Sequence, residues 1–317
     1  MGAPAGRDRL DTPVVHQPDF LAGFWRLADP KISLASMASI FLGACAAAAR
    51  GPIDLVWLAV TVFGIFAIEV AKNASGEIFD FDSGADLGIA PEDRSPFSGG
   101  KRVLVDGLLT RKQTIGIAAV SYLIGIALGI VIVFWKQPGI FWIGFVGMVC
   151  AFFYQAPPLK FSYRGLGELA VALSYGPLIC CGTYLVLRGN IDSAPLLASI
   201  PLGLLIGNFL WIDEFPDFAS DARAGKRTLV VRLGRKQASR LFPVILIVAF
   251  GISFVLPIFG LPKGVLLAAV AIIPAIAAAR RLWQNPEQTV KIIPAQALTL
   301  IAFVLYAIGI GVGFLLR

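Results

Sequence analysis

The stretch LLIGNFLWIDEFPDFASDARAGKRTLVVRLG, from Leu204 to Gly234, decides the fold. Its first part closes an apolar run over 194–212. This run is long enough to cross a bilayer, which takes about 20 apolar residues in a helix. Three acids follow at intervals of four residues, at Asp213, Asp217 and Asp221, and then a basic loop, Gly225-Lys-Arg-Thr-Leu-Val230. The order predicts a transmembrane helix whose end carries acids at the membrane surface.

A second copy of this pattern lies in the first half of the chain. Gly100-Lys-Arg-Val-Leu-Val105 matches the basic loop, and Arg111-Lys-Gln113 after it matches Arg235-Lys-Gln237. Each copy follows a predicted helix that ends in carboxylates. The pattern indicates a parallel internal repeat, which places a substrate site where the two halves meet. The alternative is two unrelated basic loops that face the membrane surface.

The composition is that of a membrane protein. The chain is 57% hydrophobic and 15% charged, with a mean hydropathy of +0.79, whereas soluble domains are about 45–50% apolar and about 25% charged. We expect an all-α, polytopic membrane protein of about nine transmembrane helices, with a parallel internal repeat around a central cavity. The apolar segments are 32–49, 53–79, 113–135, 139–156, 168–187, 194–212, 241–260, 264–280 and 294–316. They predict a cytoplasmic tail at 1–31 and a single transmembrane domain at 32–317.

The basic residues predict the orientation. Of the 27 Lys and Arg residues, 22 fall on one side of the predicted membrane and five on the other. The positive-inside rule then places the N-terminus and the acid-rich loops in the cytoplasm, with the protein in the cell membrane. This distribution explains the net charge of +7 without a nucleic-acid partner. The start of the chain, up to Ala22, lacks the apolar core of a signal peptide.

Acidic residues on the predicted second helix share one face. At 100° per residue, Glu69, Asn73, Glu77 and Asp80 fall within an arc of about 80°. Asp82 points away from that face, and Pro216 predicts a bend or a restart in the later acidic helix. Converging carboxylates repel one another and need a cation, and their oxygens suit Mg²⁺, which keeps substrate phosphates among its ligands. The candidate metal ligands are Asn73, Glu77, Asp80, Asp86, Asp213, Asp217 and Asp221. The alternative for each is a solvated helix end.

Several cations lie beside these acids and are candidate partners of a diphosphate. Both copies of the repeat supply a pair, Lys101 with Arg102 and Lys226 with Arg227. Such cations, together with a metal, suit a multiply charged phosphate group. A third element follows the predicted fourth helix and contains Tyr154, Lys160 and Arg164. A plain cytoplasmic loop explains these last two cations equally well.

The chain resembles the UbiA superfamily of intramembrane prenyltransferases over nearly its whole length. Within it, the stretches 158–168, 176–184 and 216–234 are most similar to the 1,4-dihydroxy-2-naphthoate polyprenyltransferases of menaquinone synthesis. Glu77 and Asp80 fall on the first acidic motif of the family, and Asp217 and Asp221 on the second. The chain departs from the family pattern at three places: Gly76 stands for the usual Asn, Glu77 for the usual Asp, and Asp213-Glu214 for Asn-Asn, the last of which keeps oxygen ligands and adds negative charge.

The resemblance implies the chemistry. Mg²⁺ held by the two acidic clusters would bind a polyprenyl diphosphate, Tyr154 and Lys160 would hold that group, and Arg164 would help to neutralise it as it leaves. The resulting allylic cation would be attacked by an aromatic acceptor, within membrane lipid. Other acceptors, namely 4-hydroxybenzoate, chlorophyllide or another lipid, remain open, as does a cation-coupled transporter.

Glu69 has a separate prediction. It lies two turns deeper than Glu77 on the same face, about 12 Å along the helix axis. This is too far for a ligand of the same ion. We expect Glu69 to accept a hydrogen bond from the aromatic acceptor. The alternative is a hydrogen bond between two helices.

Overall fold

The structure is a computed structural model that describes residues 19–316, and it is all-α in architecture. Its helices pack side by side in the manner of a polytopic membrane protein. They are α1 Phe20–Ala28, α2 Pro30–Ala48, α3 Leu55–Ser83, α4 Arg111–Trp135, α5 Ile140–Phe152, α6 Gly167–Leu173, α7 Ile179–Arg188, α8 Ser193–Arg223, α9 Leu229–Leu233, α10 Arg235–Val255, α11 Ile272–Gln284 and α12 Thr289–Leu315. A π-helical turn, Ser174–Leu178, joins α6 to α7.

The predicted count of nine membrane spans is not confirmed. Across the part of the chain that the structure describes, eight helical segments are long and apolar enough to cross a membrane. The predicted segment 139–156 is α5, which has 13 residues and extends about 20 Å at 1.5 Å per residue, less than the roughly 30 Å of a bilayer core. The predicted tail contains α1 and the start of α2, and its residues 1–18, with His16, lie outside the described residues.

The two acid-bearing helices, α3 and α8, are the longest in the described chain. They have 29 and 31 residues, which is well over 40 Å of helix, so their acidic ends extend past an apolar core of roughly 30 Å. Both begin with an aspartate cap, since Asp54 accepts from the amide of Val56 and Asp192 from that of Ala194. Of the two effects predicted for Pro216, a bend or a restart, the restart does not occur, because α8 continues through this residue.

Close packing around α8 forms the core. Its neighbours are α6, α10 and α12, and their contacts bury large side chains such as Phe215, Phe242 and Tyr306. Gly203 of α8 meets Gly176, where a Cβ on Gly176 would lie only 2.7 Å from the Cα of Gly203. Such small residues let transmembrane helices approach closely. The contact fixes the π-helical turn against the helix that carries the second acidic cluster.

Candidate active site

Two loops with matching anchors frame the site. Each basic motif begins with a glycine in the left-handed region, with φ of +67° at Gly100 and +73° at Gly225, a conformation that glycine adopts at little cost. In each loop a buried glutamate holds the amide of the leucine in fifth position. Glu77 accepts from Leu104 at 3.0 Å, and Glu168 accepts from Leu229 at 2.8 Å. The two halves of the sequence repeat therefore also share a structural contact, in which a glutamate accepts a hydrogen bond from the loop backbone.

Lys226 joins the acidic ends of α3 and α8. Its Nζ lies 3.5 Å from Oδ2 of Asp80 and 3.5 Å from Oδ1 of Asp221. Burial opposes the charge of Lys226, but the carboxylates of Asp221 and Asp80 outweigh it and hold the pKa of the ammonium well above its ordinary value. The lysine thus stays protonated and offsets part of the repulsion between the two clusters.

Asp80 has two further partners from the segment after α5. Gln155 donates from Nε2 to Oδ2 at 2.8 Å, and the hydroxyl of Tyr163 donates to Oδ1 at 2.8 Å. Burial, reinforced by the Asp80 carboxylate, raises the pKa of the Tyr163 phenol. The ammonium of Lys160 lies 5.0 Å from the centroid of the same tyrosine ring. This cation–π contact brings the predicted Lys160 to the edge of the acidic site.

Several carboxylate oxygens at the site are buried and lack a hydrogen-bond partner within residues 19–316. They are Oε2 of Glu77, Oδ2 of Asp86 and Oδ1 of Asp217. Burial, and then the charges of Asp80 and Glu77, raise the pKa of Asp86 to about 9. Such oxygens are suited to a hard cation. In the described chain, no group of three acids forms a metal site by itself, so an ion here needs further oxygens from a ligand.

Other predicted ligands have structural partners. Asn73 donates to the carbonyl of Leu27 at 2.8 Å, which ties α3 to α1. Asp213 accepts from Gln296 of α12 at 2.9 Å. Asp82 pairs with Arg111 at an exposed position, which confirms the prediction that it points away from the shared face.

The six Lys and Arg residues predicted to bind the diphosphate differ in whether they lie at the acidic site. Lys226 and Lys160 reach the acidic site. Lys101 pairs instead with Asp29, and the remaining three make other contacts or are exposed. Of these, Arg102 contacts Asp86 and Asp106, Arg164 donates to the carbonyl of Pro158, and Arg227 is exposed.

An apolar cavity of about 440 Å³ adjoins the acidic site. Its walls come from α3, α4, α5, α6, the π-helical turn and α7. Most of the lining is aliphatic, with four larger polar side chains, Glu69, Lys72, Tyr154 and Tyr175. The serine Ser36 of α2 donates to Oε2 of Glu69 at 3.0 Å. Glu69 therefore makes the predicted alternative contact between helices, and it also lines the cavity.

Sequence reasoning gave no role to several residues of the site. One of them is Gln155, whose position between Tyr154 and Lys160 was the available signal. The buried acids Glu168 and Glu214 lie next to each other, and each has one carboxylate oxygen without a hydrogen-bond partner in the described structure. Glu214 stands three residues before Asp217, as Glu77 stands three before Asp80, and this repeated spacing could have identified it.

The fold and the site define an integral membrane protein in which a charged site, shared by two long helices, adjoins an apolar cavity. The sequence model of the UbiA prenyltransferase family matches residues 36–293, and the chain belongs to this family of prenyl-transferring enzymes.

Comparisons with individual proteins agree with this assignment. The chain is 27% identical over 231 residues to a 1,4-dihydroxy-2-naphthoate octaprenyltransferase of Bacillus subtilis, which covers 71% of this chain and 70% of that one. The fold matches the apo structure of a UbiA homolog from Aeropyrum pernix K1, with a TM-score of 0.68 at 17% identity, over 90% of this chain and 97% of that one. It also matches a UbiA homolog from Archaeoglobus fulgidus bound to GPP and Mg²⁺, with a TM-score of 0.66 at 13% identity, over 91% of this chain and 99% of that one.

Proposed function

We propose that this protein transfers a polyprenyl group from its diphosphate to an aromatic acceptor, and that the acceptor is 1,4-dihydroxy-2-naphthoate. The observation that carries the proposal is the position of Lys226 between Asp80 and Asp221, beside an apolar cavity. A diphosphate needs cations and metal ligands, and a polyprenyl chain needs an apolar wall. The naphthoate is the acceptor in the name of the Bacillus subtilis relative.

The diphosphate would bind at the acidic ends of α3 and α8. Lys226 and Lys160 lie at this position, and charge-assisted bonds from an ammonium to phosphate are strong. Tyr154 lies beneath this region, with its ring at 4.6 Å from the ammonium of Lys72. Lys101, Arg102, Arg164 and Arg227 would act at longer range on the approach to the site.

The residues present fit a Mg²⁺ ion. Glu77, Asp86 and Asp217 each have a buried oxygen without a partner in the described structure, and Asp80 and Asp221 flank them through Lys226. Together with oxygens of the bound diphosphate, these residues would hold the ion. When bound, Mg²⁺ supplies positive charge that neutralises the diphosphate as it departs. Asn73 and Asp213 have hydrogen-bond partners on other helices. They would fix the positions of the helices that carry these ligands.

The reaction follows from these positions. The bond between the first prenyl carbon and the diphosphate oxygen breaks, and the diphosphate leaves with the electron pair while Lys226 and Lys160 stabilise its charge. An electron-rich ring carbon of the acceptor attacks the allylic cation, a carbon–carbon bond forms, and a proton leaves the ring. The aliphatic walls of the cavity exclude water that would quench the cation. Glu69 would accept a hydrogen bond from an acceptor hydroxyl and so raise the electron density of the ring.

A direct assay tests this function. Purified protein in detergent is given radiolabelled prenyl diphosphate, Mg²⁺ and one acceptor at a time: the dihydroxynaphthoate, 4-hydroxybenzoate or chlorophyllide. Labelled product with the naphthoate supports the proposal, whereas product with another acceptor alone assigns a different member of the same family of reactions. Absence of transfer with every acceptor, together with ion-dependent uptake in proteoliposomes, would establish the transporter alternative.

We also propose that the acid-rich ends face the cytoplasm of the cell, because most basic residues lie on that side. Lys236 is exposed after the second basic loop, with 79% of its side chain accessible, and Asn190 is exposed at the opposite ends of α7 and α8. Lys236→Cys should react with a membrane-impermeant thiol reagent only in inside-out vesicles, and Asn190→Cys only in right-side-out vesicles. The wild type gives the background from its four cysteines, and the reverse pattern would invert the orientation.

A further inference from the structure

Lys72 is a lysine in the wall of the apolar cavity, and in the described chain it forms no ion pair with the acids of the site. Its ammonium lies 4.6 Å from the centroid of the Tyr154 ring and lines the cavity. Among residues 19–316 it forms no ion pair within 4.0 Å. A lysine kept in an apolar wall with no carboxylate in direct contact is costly, and in a membrane protein such a residue marks a binding site.

Lys72 has a neighbour that also faces the cavity. Glu69 stands one turn away on α3, at the i and i+3 spacing that places side chains next to each other. Glu69 is only 6% exposed, and its Oε1 is buried and lacks a hydrogen-bond partner in the described chain. The cavity wall therefore presents a lysine beside a glutamate, with Tyr175 against that glutamate at the same polar end.

The position of Lys72 separates it from the diphosphate site. Lys72 precedes Asp80 by eight residues, which is about 12 Å along the axis of α3. The diphosphate cation Lys226 lies 3.5 Å from Asp80 itself. Along the axis of α3, Lys72 thus lies deeper than Asp80, in the wall of the apolar cavity.

We infer that Lys72 binds the carboxylate of the aromatic acceptor, with Glu69 beside it to accept a hydrogen bond from the hydroxyl next to that carboxylate. The ligand class is a hydroxylated aromatic acid, and the inference rests on the proposed function. A carboxylate satisfies the ammonium, a hydroxyl satisfies Oε1 of Glu69, and a flat ring fills the space beside Tyr154 and Tyr175. A neutral acceptor would leave the lysine unpaired in the cavity, so Lys72 selects acids over neutral phenols.

The test measures the effect of one substitution on the KM of two acceptors. They are 1,4-dihydroxy-2-naphthoate and 1,4-dihydroxynaphthalene, which lacks the carboxylate. Lys72→Met should raise the KM for the naphthoate by about tenfold or more, change that for the neutral acceptor far less, and leave the KM for the prenyl diphosphate unaltered. Lys72→Arg, which keeps the charge, should restore part of the preference. Lys136→Met is the matched control, because the ammonium of Lys136 also lies over a ring, at 5.9 Å from the centroid of Trp57, outside the residues that line the cavity.

Equal increases in KM for both acceptors, or an increase in the KM for the donor, would overturn the inference. Equilibrium binding of radiolabelled naphthoate, without donor, separates this inference from the proposed function. Naphthoate binding that Lys72→Met weakens, in a protein that transfers no prenyl group, would support the carboxylate site and refute the reaction. Prenyl transfer to the naphthoate, with naphthoate binding unchanged by Lys72→Met, would support the proposed reaction and refute the carboxylate site.

Discussion

The ammonium of Lys226 lies 3.5 Å from the carboxylate of Asp80, although the two residues belong to different halves of the chain. Lys226 reaches this position because α8 ends in a turn in which its own amide donates to the carbonyl of Asp221 at 2.8 Å. The left-handed Gly225 precedes it. The ion pair therefore couples the two acidic clusters through one loop residue.

Removal of that cation should damage donor binding. Lys226→Met takes away a charge-assisted contact, which is worth about 1.5–3 kcal/mol, so kcat/KM should fall by about ten- to a hundredfold, mainly through the KM for the prenyl diphosphate. Lys160→Ala should act in the same direction, and the exposed Arg227→Ala more weakly. Steady-state kinetics with the donor and the acceptor varied separately measures the effect. Lys236→Met is the control on the same side, and a change confined to the acceptor KM would contradict the assignment.

Mg²⁺ should be required, and Asp217 should be one of its ligands. Asp217→Asn keeps the shape and the hydrogen bond from the amide of Gly99 but removes a charged oxygen ligand, so turnover should fall by about tenfold or more and the Mg²⁺ needed for half-maximal rate should rise. Asp82→Asn, in the exposed pair with Arg111, is the matched control and should behave as the wild type does. Undiminished activity in excess chelator would refute the metal requirement.

Glu69 should affect the acceptor rather than the donor. Glu69→Gln retains an oxygen that can accept from Ser36 but removes the carboxylate, so acceptor turnover should fall by about tenfold with donor KM intact. Ser36→Ala is the companion variant, since it leaves the carboxylate in place and removes the contact between helices at 3.0 Å, together with the bond of the same hydroxyl to the carbonyl of Ser33. If Ser36→Ala lowers stability while Glu69→Gln transfers prenyl groups normally from about pH 6 to about pH 9, Glu69 is structural.

Glu168 should hold the second basic loop in place. Its Oε1 accepts from the amide of Leu229 at 2.8 Å, and a buried amide left without that partner costs about 1–3 kcal/mol. Glu168→Leu should therefore displace Lys226 and raise donor KM, whereas Glu168→Gln keeps an acceptor oxygen and should retain most of the affinity. Glu287→Leu, at an exposed position, controls for the added apolar side chain. Equal losses in the Leu and Gln variants would show that charge, rather than the amide contact, is what matters.

Helical periodicity was sufficient to predict much of the acidic face. Because side chains repeat every 3.6 residues, the sequence placed Glu69, Asn73, Glu77 and Asp80 on one face of α3 and Asp82 on another. The pairing of Asp82 with Arg111 confirms the second part. The all-α membrane architecture could also be predicted from the sequence, since it depends on composition and on the length of apolar runs.

Contacts between loops that are distant along the chain could not be predicted from the sequence. Lys226 and Arg227 are adjacent and chemically similar, and only the turn after α8 decides that the first enters the site while the second is exposed. Lys101 likewise pairs with Asp29, a residue that the sequence assigned to the tail. The length of α5 was overestimated because hydropathy does not distinguish a helix from the apolar turn that begins after Phe152.

We expect the ammonium of Lys226 to influence how the metal ion and the prenyl diphosphate bind. Because the lysine is covalently part of the chain, it stays at an effective concentration of about millimolar or more beside Asp80 and Asp221. A divalent ion that arrives alone must compete with this built-in counterion, whereas an ion that arrives with a diphosphate gives the lysine a new anion to neutralise. We therefore expect Mg²⁺ to bind more tightly in the presence of the prenyl diphosphate than alone.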